Sequence, residues 1–193
     1  MTWTNWAGNQ TMCPTRVAHP TSAHDIAEEV RGAAAEGRRL KAIGAGHSFT
    51  AIGLTDGVLL DLSSYDALVS VDKARGRVTV QAGMRLRRLN AVLAEHGLGL
   101  TNMGDIDVQT VAGAVSTGTH GTGRSSAALA TQVVALELVL ADGSVVTCSA
   151  DQQPELFSAA RVGLGALGVI STVTLQAEPA FLLEADELSL IHI

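Results

Sequence analysis

The 193-residue chain is 47% hydrophobic and 17% charged, which supports a packed core and excludes wholesale disorder. Its net charge of −6 and 3% aromatic content supply neither the basic field nor the stacking platforms that nucleic acids need, so no nucleic-acid partner is expected. No apolar stretch reaches the about 18 residues that would span a bilayer, and the opening MTWTNWAGNQ lacks the charged and apolar regions of a secretory signal. The expectation is a soluble cytoplasmic protein, with Cys13 and Cys148 as reduced thiols in no metal-ligand spacing.

In chain order, PTSAHDIAEEVRGAAAEG has Ser22 three residues ahead of Asp25, an N-cap pattern of the capping-box kind. Ile26, Val30 and Ala33 recur at helical spacing, and Gly37 supplies the stop. Strands are predicted at Arg39–Ile43 and Val58–Leu62, giving a small α/β unit. After Tyr65 the pattern changes. Leu68–Asp72 and Arg77–Val80, joined by KARG, read as a hairpin, and MRLRRLNAVLAEH (84–96) as an amphipathic helix. VVALELVLADGSVVTCS reads as a second hairpin turning at Asp142-Gly143, followed by a Pro154-led helix and a strand at Val169–Leu175. The fold class is therefore α+β: a small mixed or parallel sheet in a first subdomain (1–65), and a larger antiparallel sheet with helices in a second (66–178). Residues 179–193 are read as a truncated tail, whose LSLIHI ending closes no element.

Two glycine-rich stretches remain. In Ile43-Gly44-Ala45-Gly46-His47-Ser48, glycines after a strand let backbone N–H groups converge into an anion-binding nest; a tight turn with an incidental histidine is the equal alternative. A dinucleotide fingerprint is excluded, because Phe49 stands where the third glycine belongs. The longer stretch, Val111–Gly123, combines small residues with hydroxyls and is read as a second anion loop, or as a tightly packed helix end. Its GTHGTGRS nearly matches a nucleotide-hydrolysing phosphate loop, but Arg124 replaces the lysine and no buried strand precedes it. Asp105 and Asp107 form a close acidic pair, read as loop-capping rather than as acid and base facing one bond.

Asn5-Trp6, GAGHSF, TDG at 55–57, NMGDIDVQTVAGAVSTGTHGTG and ARVGLGALGVISTVTL occur together over about residues 5–178. By these motifs the chain resembles the FAD-binding domain (PCMH type) of the vanillyl-alcohol oxidase/para-cresol methylhydroxylase flavoproteins. Within them it is most similar to the L-gulono-1,4-lactone and D-arabinono-1,4-lactone oxidases and dehydrogenases, with alditol oxidase a near relative. The resemblance implies a covalent bond from His47 to the 8α carbon of FAD, with Ala42, Ile43, Gly44, Ala45, Gly46 and Ser48 along the cofactor. It further implies contacts from Asp105, Thr110, Gly113, Thr117, Gly118, Thr119 and His120, and from Ile170 near the adenine. His120 holds either the cofactor or its own loop. Asp105 departs from alditol oxidases, which carry a small hydroxyl there, and Gly104 would leave dioxygen room beside the flavin. The implied activity is oxidation of a sugar-1,4-lactone or polyol carbinol, with hydride passing to flavin N5 and electrons to O2 or another acceptor. The alternatives are an alditol or other alcohol oxidase and a non-catalytic interaction domain on the same scaffold. No catalytic acid or base is assigned within this chain, because the resemblance places it in a C-terminal cap domain.

Overall fold

A computed structural model describes residues 2–184. The chain opens on a hairpin that the sequence did not signal, β1 (Trp3–Thr4) against β2 (Thr11–Met12). Two-residue strands are too short to hold by their ladder alone. Asn5, only 6% exposed, ties the hairpin's loop by accepting from Gln10 N and donating to Asn9 Oδ1.

β3 (Arg16–Ala18), α1 (Ala23–Ala35), β4 (Leu40–Ile43) and β5 (Val58–Asp61) follow, the strands forming a parallel sheet in the order β3-β5-β4. Val58, Leu59 and Leu60 of the central strand are all buried, as a strand covered on both faces requires. Ser22 caps α1 by accepting from Asp25 N at 3.0 Å, while Asp25 turns back onto Thr21 N and Oγ1. Gly37, at φ +64°, is the left-handed stop.

β6 (Leu68–Asp72) and β7 (Arg77–Gln81) form the KARG hairpin, and α2 (Leu86–Glu95), β8 (Leu98–Gly99) and α3 (Val111–Ser116) come next. β9 (Val133–Val139) and β10 (Val145–Ser149) form the Asp142-Gly143 hairpin; α4 (Pro154–Ala160), β11 (Val169–Gln176) and β12 (Glu178–Pro179) complete the chain. The large sheet is antiparallel throughout, in the order β10-β9-β11-β7-β6. Two boundaries differ from the sequence reading. Residues 111–116, read as an anion loop or as a tightly packed helix end, are helical because Thr110 caps them, its side chain accepting from Gly113 N at 3.2 Å. Regular pairing also reaches Pro179, since β12 pairs with β8; residues 185–193 of the tail segment lie outside the described residues.

One core runs through both sheets: Ile26 of α1 and Leu60 of β5 belong to the same buried cluster as Val80, Leu138 and Leu175. Each such side chain contributes about 1.5–3 kcal/mol on burial. α1 leans on the large sheet, and Arg31 Nη1 donates to Gly143 O at 3.0 Å in the β9–β10 turn. Helix α1 thus ties the parallel sheet to the large one.

Candidate functional site

At the carboxyl end of β4 the chain leaves the parallel sheet and borders a cleft of about 170 Å³. Such ends are where open α/β sheets present ligand sites, because the connecting loops are free there to face a neighbouring unit. One wall is the segment Ala42, Ile43, Gly44, Ala45, Gly46, His47 and Ser48. The opposite wall comes from the start and end of α3, through Thr110, Gly113, Ser116 and Thr117, and Val169 and Ile170 of β11 close a third side.

The first turn is held by its carbonyls. Gly46 O accepts from Trp6 N at 2.9 Å, Ser48 O from Asn5 Nδ2 at 2.9 Å, and Phe49 O from Asn9 Nδ2 at 3.0 Å and Gln10 Nε2 at 3.2 Å. Among the described residues, no group accepts from the N–H of Ala45, Gly46, His47 or Ser48. The N-terminal hairpin therefore anchors this turn while leaving a run of amide donors beside the cleft. Gly46 sits at φ +70°, and a Cβ there would lie 2.9 Å from Trp3 Cζ2, so both conformation and space call for glycine. His47 stacks on Trp6, with ring centroids 4.9 Å apart and planes inclined by 19°.

The second wall works differently. Val111 N bonds to Met84 O, Ala112 N to Ala82 O, Ala114 N to Thr110 O and Thr119 N to Ala114 O, so its amides are engaged inside the protein. Thr110, Ser116 and Thr117 border the cleft; the Thr117 hydroxyl donates to Gly113 O at 2.9 Å, so the hydroxyl donors this wall leaves for the cleft are those of Thr110 and Ser116. The two walls touch: a Cβ on Gly44 would run into Thr110 Oγ1, and a Cβ on Gly113 would lie 2.8 Å from the same atom. Gln109 borders the cleft with Nε2 bonded to Thr119 Oγ1 at 3.1 Å, while its buried Oε1 has no donor among the described residues.

Asp105, Gly118, Thr119 and His120 are not among the residues bordering the cleft. Asp105 and His120 are exposed, and His120 Nδ1 lies 2.8 Å from Gly121 O, a contact within its own loop. Gly118, at φ +70°, ends α3, and Thr119 reaches the cleft only through Gln109. The space beside Gly104 is filled, because a Cβ there would meet the Thr119 methyl at 2.9 Å. The sequence reading named neither Gln109 nor the part of ARVGLGALG before Ile170 as cleft residues, and held Ser116 within its second anion loop without assigning it a contact. Leu164, a non-glycine at φ +53°, borders the cleft beside Gly165 at +70°. A side chain in left-handed backbone signals a constraint that only coordinates reveal.

The cleft thus carries amide donors along one wall, hydroxyls along another and apolar Leu164, Val169 and Ile170 on the third, the surface of a site for an elongated anionic cofactor with a flat ring. Comparison with known proteins agrees. Residues 14–149 match the family described as FAD binding domain. The chain is 46% identical over 185 residues to the L-gulono-1,4-lactone dehydrogenase of Mycobacterium tuberculosis, covering 96% of this chain and 42% of that protein. It is 42% identical over 180 residues to the L-gulonolactone oxidase of Bos taurus, covering 93% and 41%. Among solved structures, 6-hydroxy-D-nicotine oxidase from Arthrobacter nicotinovorans superposes with a TM-score of 0.75 at 26% identity, over 86% of this chain and 37% of that one. The chain spans about two fifths of the length of these curated relatives. The matched span is well over half of the sequence, and the chain belongs to the FAD-binding domain family. The donor set fits that cofactor: unpartnered amides suit a diphosphate, and the orphaned Gln109 Oε1 is an acceptor awaiting a donor.

Proposed function

We propose that the chain is the FAD-binding portion of an oxidoreductase that oxidises a carbinol of a sugar-1,4-lactone, of the L-gulono- or D-arabinono-lactone type, and passes the electrons to O2 or another acceptor. The observation that carries this reading is the contact of Gly44 with Thr110, which brings the two glycine-rich segments to one cleft. The similarity to lactone dehydrogenases and oxidases supports the substrate class. Ala45 to Ser48 would hold the diphosphate through their N–H groups, with Ser116 adding a hydroxyl from the opposite wall, which Thr117 lines while its own hydroxyl donates to Gly113 O; Ile170 and Leu164 would pack against a ring. Asp105, Gly118, Thr119 and His120 would serve beyond the cleft, Thr119 by orienting Gln109. When bound, FAD supplies the two-electron acceptor that no side chain can provide.

His47 is the residue that would carry the covalent link, through an imidazole nitrogen to the 8α carbon. A neutral imidazole is nucleophilic near pH 7, and His47 borders the cleft on the anchored turn. The subdomains at 1–65 and 66–178 would grip the cofactor from either side. Cys13 and Cys148 are both free, in keeping with a cytoplasmic setting, and among the described residues no helix is long and apolar enough to cross a membrane.

The test is direct. FAD-saturated protein, denatured and run on a gel, is expected to show flavin fluorescence in its band, and His47→Ala is expected to lose it. A dark wild-type band would leave a non-covalent site only. A panel of lactones against polyols on the longer enzyme separates the lactone reading from an alditol oxidase.

A further inference from the structure

Both tryptophans of the chain lie against one turn. Trp3 fills the space beside Gly46, and Trp6 covers a face of His47. Burial does not account for Trp6: its residue is 67% exposed, and its other neighbour, Phe49, meets it edge-on at 6.3 Å and 83°. An exposed indole held this way has two aromatic neighbours, and the imidazole is the one whose face it covers. The turn beneath is fixed from the same hairpin, through Trp6 N on Gly46 O and Asn5 Nδ2 on Ser48 O.

A histidine on a half-buried turn beside a cleft is free to take several ring orientations. Stacking at 4.9 Å and 19° confines the ring to one plane. The lone pair of the neutral nitrogen lies in that plane, so a cover on the face directs the nucleophile without blocking it.

We infer that Trp6 is a positioning residue that orients the His47 imidazole for covalent attachment of FAD. The inference rests on the reading of His47 as the attachment residue. Attachment removes one hydrogen from the imidazole and one from the 8α methyl as the N–C bond forms, and both pass with their electrons to dioxygen, which leaves as hydrogen peroxide.

The experiment follows attachment over time in aerated buffer, using apo-protein mixed with FAD and in-gel flavin fluorescence after denaturation. Total bound FAD and the thermal midpoint are measured in parallel. Trp6→Leu is expected to attach flavin roughly tenfold more slowly, with total bound FAD and thermal midpoint unchanged, because it keeps bulk and loses the aromatic face. Trp6→Phe is expected to restore most of the rate. Attachment by Trp6→Leu at the wild-type rate would overturn the inference while leaving His47 in place. So would an equal slowing in Trp6→Phe, or a parallel loss of total bound FAD. A wild-type chain that attaches no flavin removes the His47 reading and this inference together. A readout that needs no variant is the proton NMR spectrum of the apo-protein, where the His47 ring protons are expected upfield, shielded by the indole; unshifted protons overturn the stack itself.

Discussion

The turn at 44–48 and the segment at 110–119 face each other across one cleft and are alike in composition, yet glycine does opposite work in them. In the first, the hairpin takes the carbonyls of Gly46, Ser48 and Phe49 and leaves the amides from Ala45 to Ser48 without an acceptor among the described residues. In the second, helix formation engages the amides, and Gly113 serves to let the Thr110 side chain fold back as a cap. One glycine segment is a donor surface; the other is a packing surface that displays hydroxyls. A glycine-rich stretch becomes an anion nest only when something else occupies its carbonyls and nothing occupies its N–H groups.

The largest expected effect that tests this comparison is at the contact between the walls. Gly44→Ala places a methyl against Thr110 Oγ1, and with β4 directly before it the backbone has little freedom to give. Overpacking of this kind costs about 1–3 kcal/mol, and FAD binding is expected to weaken with it. Adding Thr110→Ala leaves Thr110 Cβ, at 3.3 Å, as the nearest of the remaining atoms. The double variant is therefore expected to lose clearly less than the sum of the two single variants in a denaturant and FAD-titration cycle, and simple additivity would break the contact argument.

A smaller effect is expected from Thr110→Ala alone. It removes the cap of α3 and costs about 1 kcal/mol by urea unfolding, while Thr110→Ser keeps the hydroxyl and the stability. If FAD affinity fell far more than stability in Thr110→Ala, the hydroxyl would be a ligand contact first and a cap second.

The smallest effect lies outside the cleft. The Thr21 backbone N–H, then the Thr21 and Ser22 side chains, hold the Asp25 carboxyl below its ordinary range. A depressed folded-state value means that this contribution is present above the ordinary carboxylate pKa and is lost as pH falls through the lower folded value. Asp25→Ala is expected to lower the urea midpoint near neutral pH and to flatten its acid dependence, with FAD affinity unchanged. A change in affinity would mean that α1 communicates with the first turn.

Much of the fold was legible along the chain because its signals are local. Ser22 and Gly37 bound α1, KARG and Asp142-Gly143 set two hairpins, and the unbroken apolar run at Val58–Leu60 marked a strand buried on both faces. The β1–β2 hairpin was not legible, since two-residue strands carry no periodicity. Helix α3 was hidden because small residues and hydroxyls suit a loop equally well until Thr110 is seen capping it. Gln109 gave no signal, since an amide is ordinary surface chemistry until its neighbours are known, and Ser116 was visible only as one of several hydroxyls in the second glycine-rich stretch.

By itself the sequence determined the longer strands and helices, their order and the presence of two glycine-rich segments, the first holding His47, because capping, turn chemistry and apolar periodicity act within a few residues. Only the tertiary structure decided that Gly44 meets Thr110, that the first turn's amides meet no acceptor among the described residues while α3 engages its own, and that Trp6 covers His47. Those outcomes depend on which carbonyl finds which donor across 40 or more residues, as Asn5 finds Ser48, and no local pattern encodes a partner at that separation.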